Sequence, residues 1–220
     1  MVEAGSHPSG DELLPPFLRY AAPTLRPDLD YAYQSKPQEY LNNRVITYPR
    51  GKGLGGSSVL NFQVYLYGSS EDYNHWAELV GDDSWNWEHT RESFRKIENY
   101  EFDGSKGYSH LANPQPENHG TSGRVKVCLP PLLEKGIAPV VEAVAASGEK
   151  INLDFNSGDP LGIGIFPSST SKNGRTTSAT AHLVDAPDNL EIWTDATVHR
   201  LQFDGNKVVG IETADGRKGE

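Results

Sequence analysis

Cysteine is almost absent from this chain: of 220 residues, one, Cys128, carries a thiol. That excludes an intramolecular disulfide framework and a thiolate metal cluster. Cys128 closes the alternating run Val125, Lys126, Val127, and so reads as a small buried strand residue. Long apolar runs are lacking too, for nothing approaches the roughly 20 apolar residues of a membrane-spanning helix. The opening MVEAGSHPSG has neither a basic nor an apolar stretch, so no signal peptide is visible and the compartment stays undetermined. Positive charge is scarce. Twenty Lys and Arg face 30 Asp and Glu, a formal net charge of -10, which repels phosphate backbones and argues against nucleic acid as a partner. We find no HxxxH or HExxH pair among the seven histidines, and therefore no zinc motif.

Glycine (22) and proline (15) are plentiful, which predicts long irregular connections, while 36% hydrophobic residues suit a globular core. Residues 6–49 hold seven prolines and no sustained period, and read as a long extended excursion over a surface. Ser70 to Val80 predicts a helix: Ser70 as N-cap, acids in the first turn, and Tyr73, Trp76, Ala77 and Val80 on one face. A second helix is expected over 87–100 with Phe94 and Ile97 inward, and a third over 131–147, ending at Gly148. Residues 104–123 read as loop. Trp76, Trp85 and Trp87 read as core rather than as a base-stacking platform. Strands follow over 190–214, with Asp204-Gly205 as hairpin turn. Both ends look cut: Met1 to Gly5 reads as the end of a strand, and 214–218 as a turn with no partner strand after it.

Chemistry concentrates in Pro49 to Tyr73, PRGKGLGGSSVLNFQVYLYGSSEDY. Gly51, Gly53, Gly55 and Gly56 permit positive φ and close approach of a ligand. Ser57 and Ser58 stand at an expected helix start, where N–H groups favour an anion, and Arg50 and Lys52 add positive charge. A pyrophosphate fits such a turn; a plain surface loop is the other reading. Gly51, Gly53 and Gly56 also satisfy G-x-G-x-x-G, but no buried strand precedes them and Glu71 falls at a helix start, so the dinucleotide fingerprint is rejected. A P-loop fails because Gly53 follows Lys52.

The whole stretch resembles the first signature of the glucose-methanol-choline (GMC) oxidoreductases. The residues that carry the likeness are Gly51, Lys52, Leu54, Gly55, Gly56, Ser57, Ser58, Asn61, Tyr65, Gly68 and Asp72. It extends through Tyr73, Trp76, Ala77, Gly81, Trp85 and Trp87, through Gly174, Arg175, Ser178 and Ala179, and through Asn189, Leu190, Thr194, Ala196, Val198 and Arg200. Val2-Glu3-Ala4-Gly5 resembles the end of that family's second Rossmann strand. The likeness covers nearly the whole chain and is similar to the choline-dehydrogenase-like and aryl-alcohol-oxidase-like branches.

The resemblance implies an α/β (α+β) chain, a partial FAD-binding Rossmann-like domain of GMC type. Its parts would be 1–130, partial FAD-binding domain with the excursion and signature; 131–185, a helix and the start of a substrate-domain-like region; and 186–220, returning strands. FAD is the implied cofactor. Glu3 would hold the adenosine ribose, Gly55, Gly56 and Ser57 the pyrophosphate, and the Val198 backbone the adenine, with Asn61, Phe62 and Val64 along the flavin side. Tyr67 is a departure, since many relatives carry Arg there. The implied activity is oxidation of a small-molecule alcohol with hydride transfer to FAD. The true glycine fingerprint, the second signature and the base histidine are expected outside this chain, so no catalytic residue is assigned. The chain by itself is expected to bind FAD weakly or not at all and to turn over nothing. His119 lies in a loop resembling one common in the family, and each histidine is read as a surface or satisfied interior residue. Two rivals follow: a non-catalytic binding or assembly partner, self-associating through exposed sheet edges, and a recruited site in which Tyr65, Tyr67 and Trp76 line a pocket for another ligand.

Overall fold

The computed structural model describes residues 1–8, 13, 15–102, 107–130 and 133–219. In chain order its elements are α1 (Ala22–Leu25), β1 (Tyr33–Gln34), β2 (Thr47–Tyr48), α2 (Ser70–Val80), α3 (Trp87–Ile97), β3 (Glu98–Tyr100), β4 (Val125–Val127), α4 (Ile137–Ala146), β5 (Thr170–Ser171), β6 (Gly174–Arg175), α5 (Ser178–His182), β7 (Val198–Asp204), β8 (Lys207–Thr213) and β9 (Lys218–Gly219). Helices and sheets are mixed, as the sequence predicts. Among the described residues no helix is long and apolar enough to cross a membrane. Two compact units emerge: Met1–Phe62 with Thr177–Glu220, and Gln63–Thr176.

In the first unit the proline-rich excursion is not simply extended. Short 3-10 segments at Pro16–Ala21, Pro27–Leu29 and Glu39–Leu41 join α1 and the antiparallel pair β1–β2. Pro16, Pro23 and Pro27 stand at the first positions of their turns, where a fixed φ favours entry and the missing N–H costs nothing. Leu13, Ala22, Leu29, Val59 and Leu60 form the core beneath them. At the other end β7 and β8 pair with Asp204 opposite Lys207, so the turn residues are Gly205 and Asn206, one position later than expected. Nor is the last turn open. β9 returns to β8, Ile211 opposite Gly219, because Asp215 accepts from the Thr213 hydroxyl at 2.5 Å and the Arg217 Nε at 2.8 Å and closes the bend.

In the second unit α2 forms over the expected span, but its cap is Ser69, whose Oγ accepts from the Glu71 N–H at 3.2 Å. Ala77 is the buried residue of its face; Trp76 and Val80 are exposed, and the Trp76 ring stacks on that of Trp85 at 6.1 Å instead of entering the core. Helix α3 stops at Ile97, which is exposed, and the chain turns into β3. Glu98 and Tyr100 then point inward on alternate positions while β3 runs parallel to β4. Period two wins there over the helix expected to reach Tyr100. Cys128 is buried, exchanging backbone hydrogen bonds with Ser168 at 3.1 and 2.9 Å. Helix α4 begins at Ile137, after Gly136 in the left-handed region; residues 131–132, the expected start, lie outside the described residues, as do 104–106 of the expected loop. Val141 packs with Leu111, Leu129 and Ile165 as the core, whereas Ile137 and Val140 stay exposed.

Candidate functional site

Three segments of the first unit are tied together by backbone hydrogen bonds. The Glu3 N–H donates to Trp193 O and the Ala196 N–H donates to Glu3 O, both at 2.9 Å, with Val2 and Trp193 as a parallel bridge. The Asp195 N–H donates to Gly5 O at 2.9 Å, and the Leu54 N–H to Ser6 O at 2.8 Å. Gly5 lies so close to the glycine loop that a Cβ on it would sit 2.5 Å from the Lys52 carbonyl. The segment carrying Glu3 thus runs between the strand end that leads to Val198 and the loop that carries Gly55, Gly56 and Ser57. Glu3 is half-buried, and its Oε1 accepts from the Gly5 N–H at 2.8 Å, which holds the carboxylate over its own turn. Burial, and then the Glu3 charge, push the Tyr31 phenol up.

The glycine loop does not open an α-helix, as expected from sequence; it opens a single 3-10 turn, Gly56–Val59. After one longer bond, Asn61 N–H to Ser57 O at 2.9 Å, Gln63 takes φ +61° and the helical path ends. A four-residue turn has next to no macrodipole, so an anion there must rely on local donors and on Arg50 and Lys52. Two glycines set the shape. Gly51 packs directly on the far side of the loop, where a Cβ would lie 2.2 Å from Gly56 O. Gly56, at φ +55°, has nothing within 4 Å of the place a Cβ would take, so its outer face is open. Ser57 is exposed beside that face, and its Oγ accepts from the Gly51 N–H at 3.1 Å, leaving the hydroxyl proton to be donated. An open, glycine-floored face with a hydroxyl donor and two cations nearby in sequence fits a diphosphate.

The other expected contacts vary. Phe62 is half-exposed and meets Tyr20 edge-on at 4.9 Å. Asn61 is exposed, and Val198 is exposed at the start of β7. Val64 belongs to the second unit, where it bridges Ser168. Also in the first unit, a groove of about 590 Å³ runs past Val2, Leu190, Trp193, Val208, Val209 and Ile211.

Sequence reasoning missed a charged network in the second unit. Glu98 is fully buried and His119 is 2% exposed. His119 Nδ1 lies 3.1 Å from Glu98 Oε1, and its Nε2 lies 3.3 Å from Asp154 Oδ1. Glu98 Oε2 also accepts from the Tyr67 hydroxyl at 2.5 Å and the Gly120 N–H at 2.8 Å. Asp154 accepts from Asn118 Nδ2 at 2.8 Å and from the Gln115 N–H at 3.1 Å. Burial alone lowers the His119 pKa, but hydrogen bonds to Asp154 and Glu98 outweigh it and raise the value to about 9. Burial raises Asp154, and the His119 and Asn118 hydrogen bonds outweigh that and hold it below the usual range. His119 is therefore an ion-paired interior residue; the other six histidines are exposed. Tyr67 stacks on Phe94 at 4.7 Å and is buried, while Trp76 stands on the surface, so these two do not line one pocket. The signal available in sequence was slight: a Glu and a Tyr two apart after a helix, and a His between Asn and Gly.

Residues 2–220 match the family model described as GMC oxidoreductase. The chain is similar to an alcohol dehydrogenase [acceptor] of Pseudomonas putida, 36% identical over 190 residues, covering 83% of this chain and 32% of that protein. Among solved structures it is similar to pyridoxine 4-oxidase from Mesorbium loti, TM-score 0.81 and 27% identity over 99% of this chain and 41% of that one. A structure concerned with FAD modification in Aspergillus oryzae formate oxidase gives TM-score 0.78 and 25% identity, covering 99% and 38%. The chain spans roughly a third to two fifths of the length of these relatives.

Proposed function

Since the chain belongs to the GMC oxidoreductase family, we propose that it supplies the adenosine and pyrophosphate part of an FAD site in an alcohol-oxidising flavoenzyme. Bound FAD would supply the hydride acceptor for oxidation of a small-molecule alcohol to its carbonyl compound, the hydroxyl proton passing to a base that is not assigned within this chain. The chain's own residues do the holding. The Glu3 carboxylate accepts from the two ribose hydroxyls, as an acid at the end of such a strand can. Ser57 donates to the pyrophosphate across the open face of Gly56, and the backbone at Val198 meets the adenine edge. Asn61, Phe62 and Val64 are assigned to the flavin side on the family resemblance alone. In this reading 1–130 and 186–220 contribute to cofactor binding and 131–185 begins the substrate region, except that Thr177 onward folds with the first unit. No residue of the chain is given the role of base.

The observation that carries this reading is the convergence of Glu3, the 51–57 loop and the 193–198 segment through backbone hydrogen bonds. Flavin fluorescence titrated with the purified chain tests it. Weak, saturable quenching is expected, and Glu3→Gln should weaken it roughly 10- to 100-fold, the loss of charge-assisted hydrogen bonds to the ribose. Quenching that never saturates, or that ignores Glu3→Gln, counts against the assignment. A second reading, a non-catalytic assembly partner, is favoured by the groove beside Val2 and Trp193, where Val208, Val209 and Ile211 stand among polar groups of Asn189, Glu191 and Lys218. Concentration-dependent self-association blocked by Val208→Lys would support it.

A further inference from the structure

We infer that Ser178 is a positioning residue for the pyrophosphate, acting through Ser58 and the carbonyl of Gly55. This rests on the FAD reading above. Ser178 begins α5, 120 positions after Ser58. Its N–H donates to Ser58 Oγ at 2.9 Å, and its hydroxyl donates to Gly55 O at 3.0 Å. The Ser58 hydroxyl donates to the same oxygen at 2.5 Å, and the Ser58 N–H points at it from 3.3 Å. The other end of that peptide is also held, for the Gly56 N–H donates to Gly53 O at 2.8 Å. The plane between Gly55 and Gly56 is therefore fixed at both its oxygen and its nitrogen.

This clasp matters because of what it does with charge. A backbone carbonyl turned toward a diphosphate repels it, whereas one drawn into two hydroxyls is turned aside and partly neutralised. With the Gly55 oxygen held down, the neighbouring open face at Gly56 and the exposed Ser57 hydroxyl are what an anion meets. The capping box of Thr177 and Thr180 sets the first turn of α5 and so aims Ser178, with the Thr180 N–H donating to Thr177 Oγ1 at 3.0 Å and the Thr177 N–H to Thr180 Oγ1 at 2.8 Å. Ser178 itself is exposed, so its hydroxyl contributes little to folding, and its removal is felt mainly by the ligand.

The test compares wild type, Ser178→Ala and Ser178→Thr by FAD titration, thermal melting and ³¹P NMR of the bound cofactor. Ser178→Ala should weaken FAD about 3- to 10-fold, one neutral hydrogen bond's worth, and shift the pyrophosphate resonances while melting stays unchanged. Ser178→Thr, which keeps the hydroxyl, should restore both affinity and shifts. Wild-type affinity and wild-type ³¹P shifts in Ser178→Ala would overturn the clasp and leave the FAD reading standing. A lowered melting temperature with no rescue by Thr would make Ser178 structural only, which also overturns it. No FAD binding by wild type would remove both inferences together.

Discussion

Replacing His119 with Ala should lower the stability of the second unit by about 3–5 kcal/mol, because it leaves Glu98 and Asp154 buried as carboxylates without the cation between them. For a chain of this size that is a fall of roughly 10 °C in melting temperature. The effect should depend on pH in a definite direction. The folded pKa of His119, about 9, stands above its unfolded value near 6.5. Its contribution is therefore fully present below 6.5 and is lost as pH rises through 9, on the order of 3 kcal/mol in all. Asp154 works in the opposite sense: held below 3.8, it contributes above that pH and loses its contribution as pH falls through the lowered value. Melting curves of wild type and His119→Ala should lie far apart at pH 6 and draw closer by pH 10, where only the lost packing of the buried imidazole separates them. A gap of the same size at both would mean that no buried cation is involved.

Gly51→Ala and Gly56→Ala should separate folding from binding. In Gly51→Ala the new Cβ would lie 2.2 Å from Gly56 O, 2.5 Å from Gly56 C and 2.7 Å from Ser57 Cα, all backbone atoms that cannot rotate aside. The loop must open, at about 1–3 kcal/mol of stability, and the Gly51 N–H loses Ser57. FAD binding should disappear with it. Gly56→Ala meets no neighbour and carries only the strain of a positive φ, about 1 kcal/mol. Its methyl, however, occupies the open face. Near-normal melting with FAD binding lost is the expected result; wild-type affinity in Gly56→Ala would mean that the ligand approaches elsewhere.

The parts of the fold that could be read in advance are those with local punctuation. Helix α2 is bracketed by serines, acids and Gly81, and only the choice between Ser69 and Ser70 as cap escaped, since both are serine and adjacent. The glycine loop was legible as a ligand-holding turn, yet not as a 3-10 turn, because what stops the helix is the positive φ of Gln63, a residue type that does not announce it. Strand β9 was missed because two residues leave no periodic trace. The Glu98–His119–Asp154 network was invisible for another reason: its members lie 21 and 35 positions apart and share no motif. Such contacts are made by tertiary packing alone. The same holds for Ser58 and Ser178, both noted as family-like residues, whose hydrogen bonds only the folded unit shows.

The most direct test of the account is a ¹H–¹⁵N correlation spectrum of the labelled chain titrated with FAD. Saturable shifts of the amides of Glu3 to Gly5, Gly51 to Ser58 and Ala196 to Val198 are expected, moving together with one dissociation constant. Shifts confined to Val208 to Ile211 along the groove, or none at any of the three segments, would contradict it.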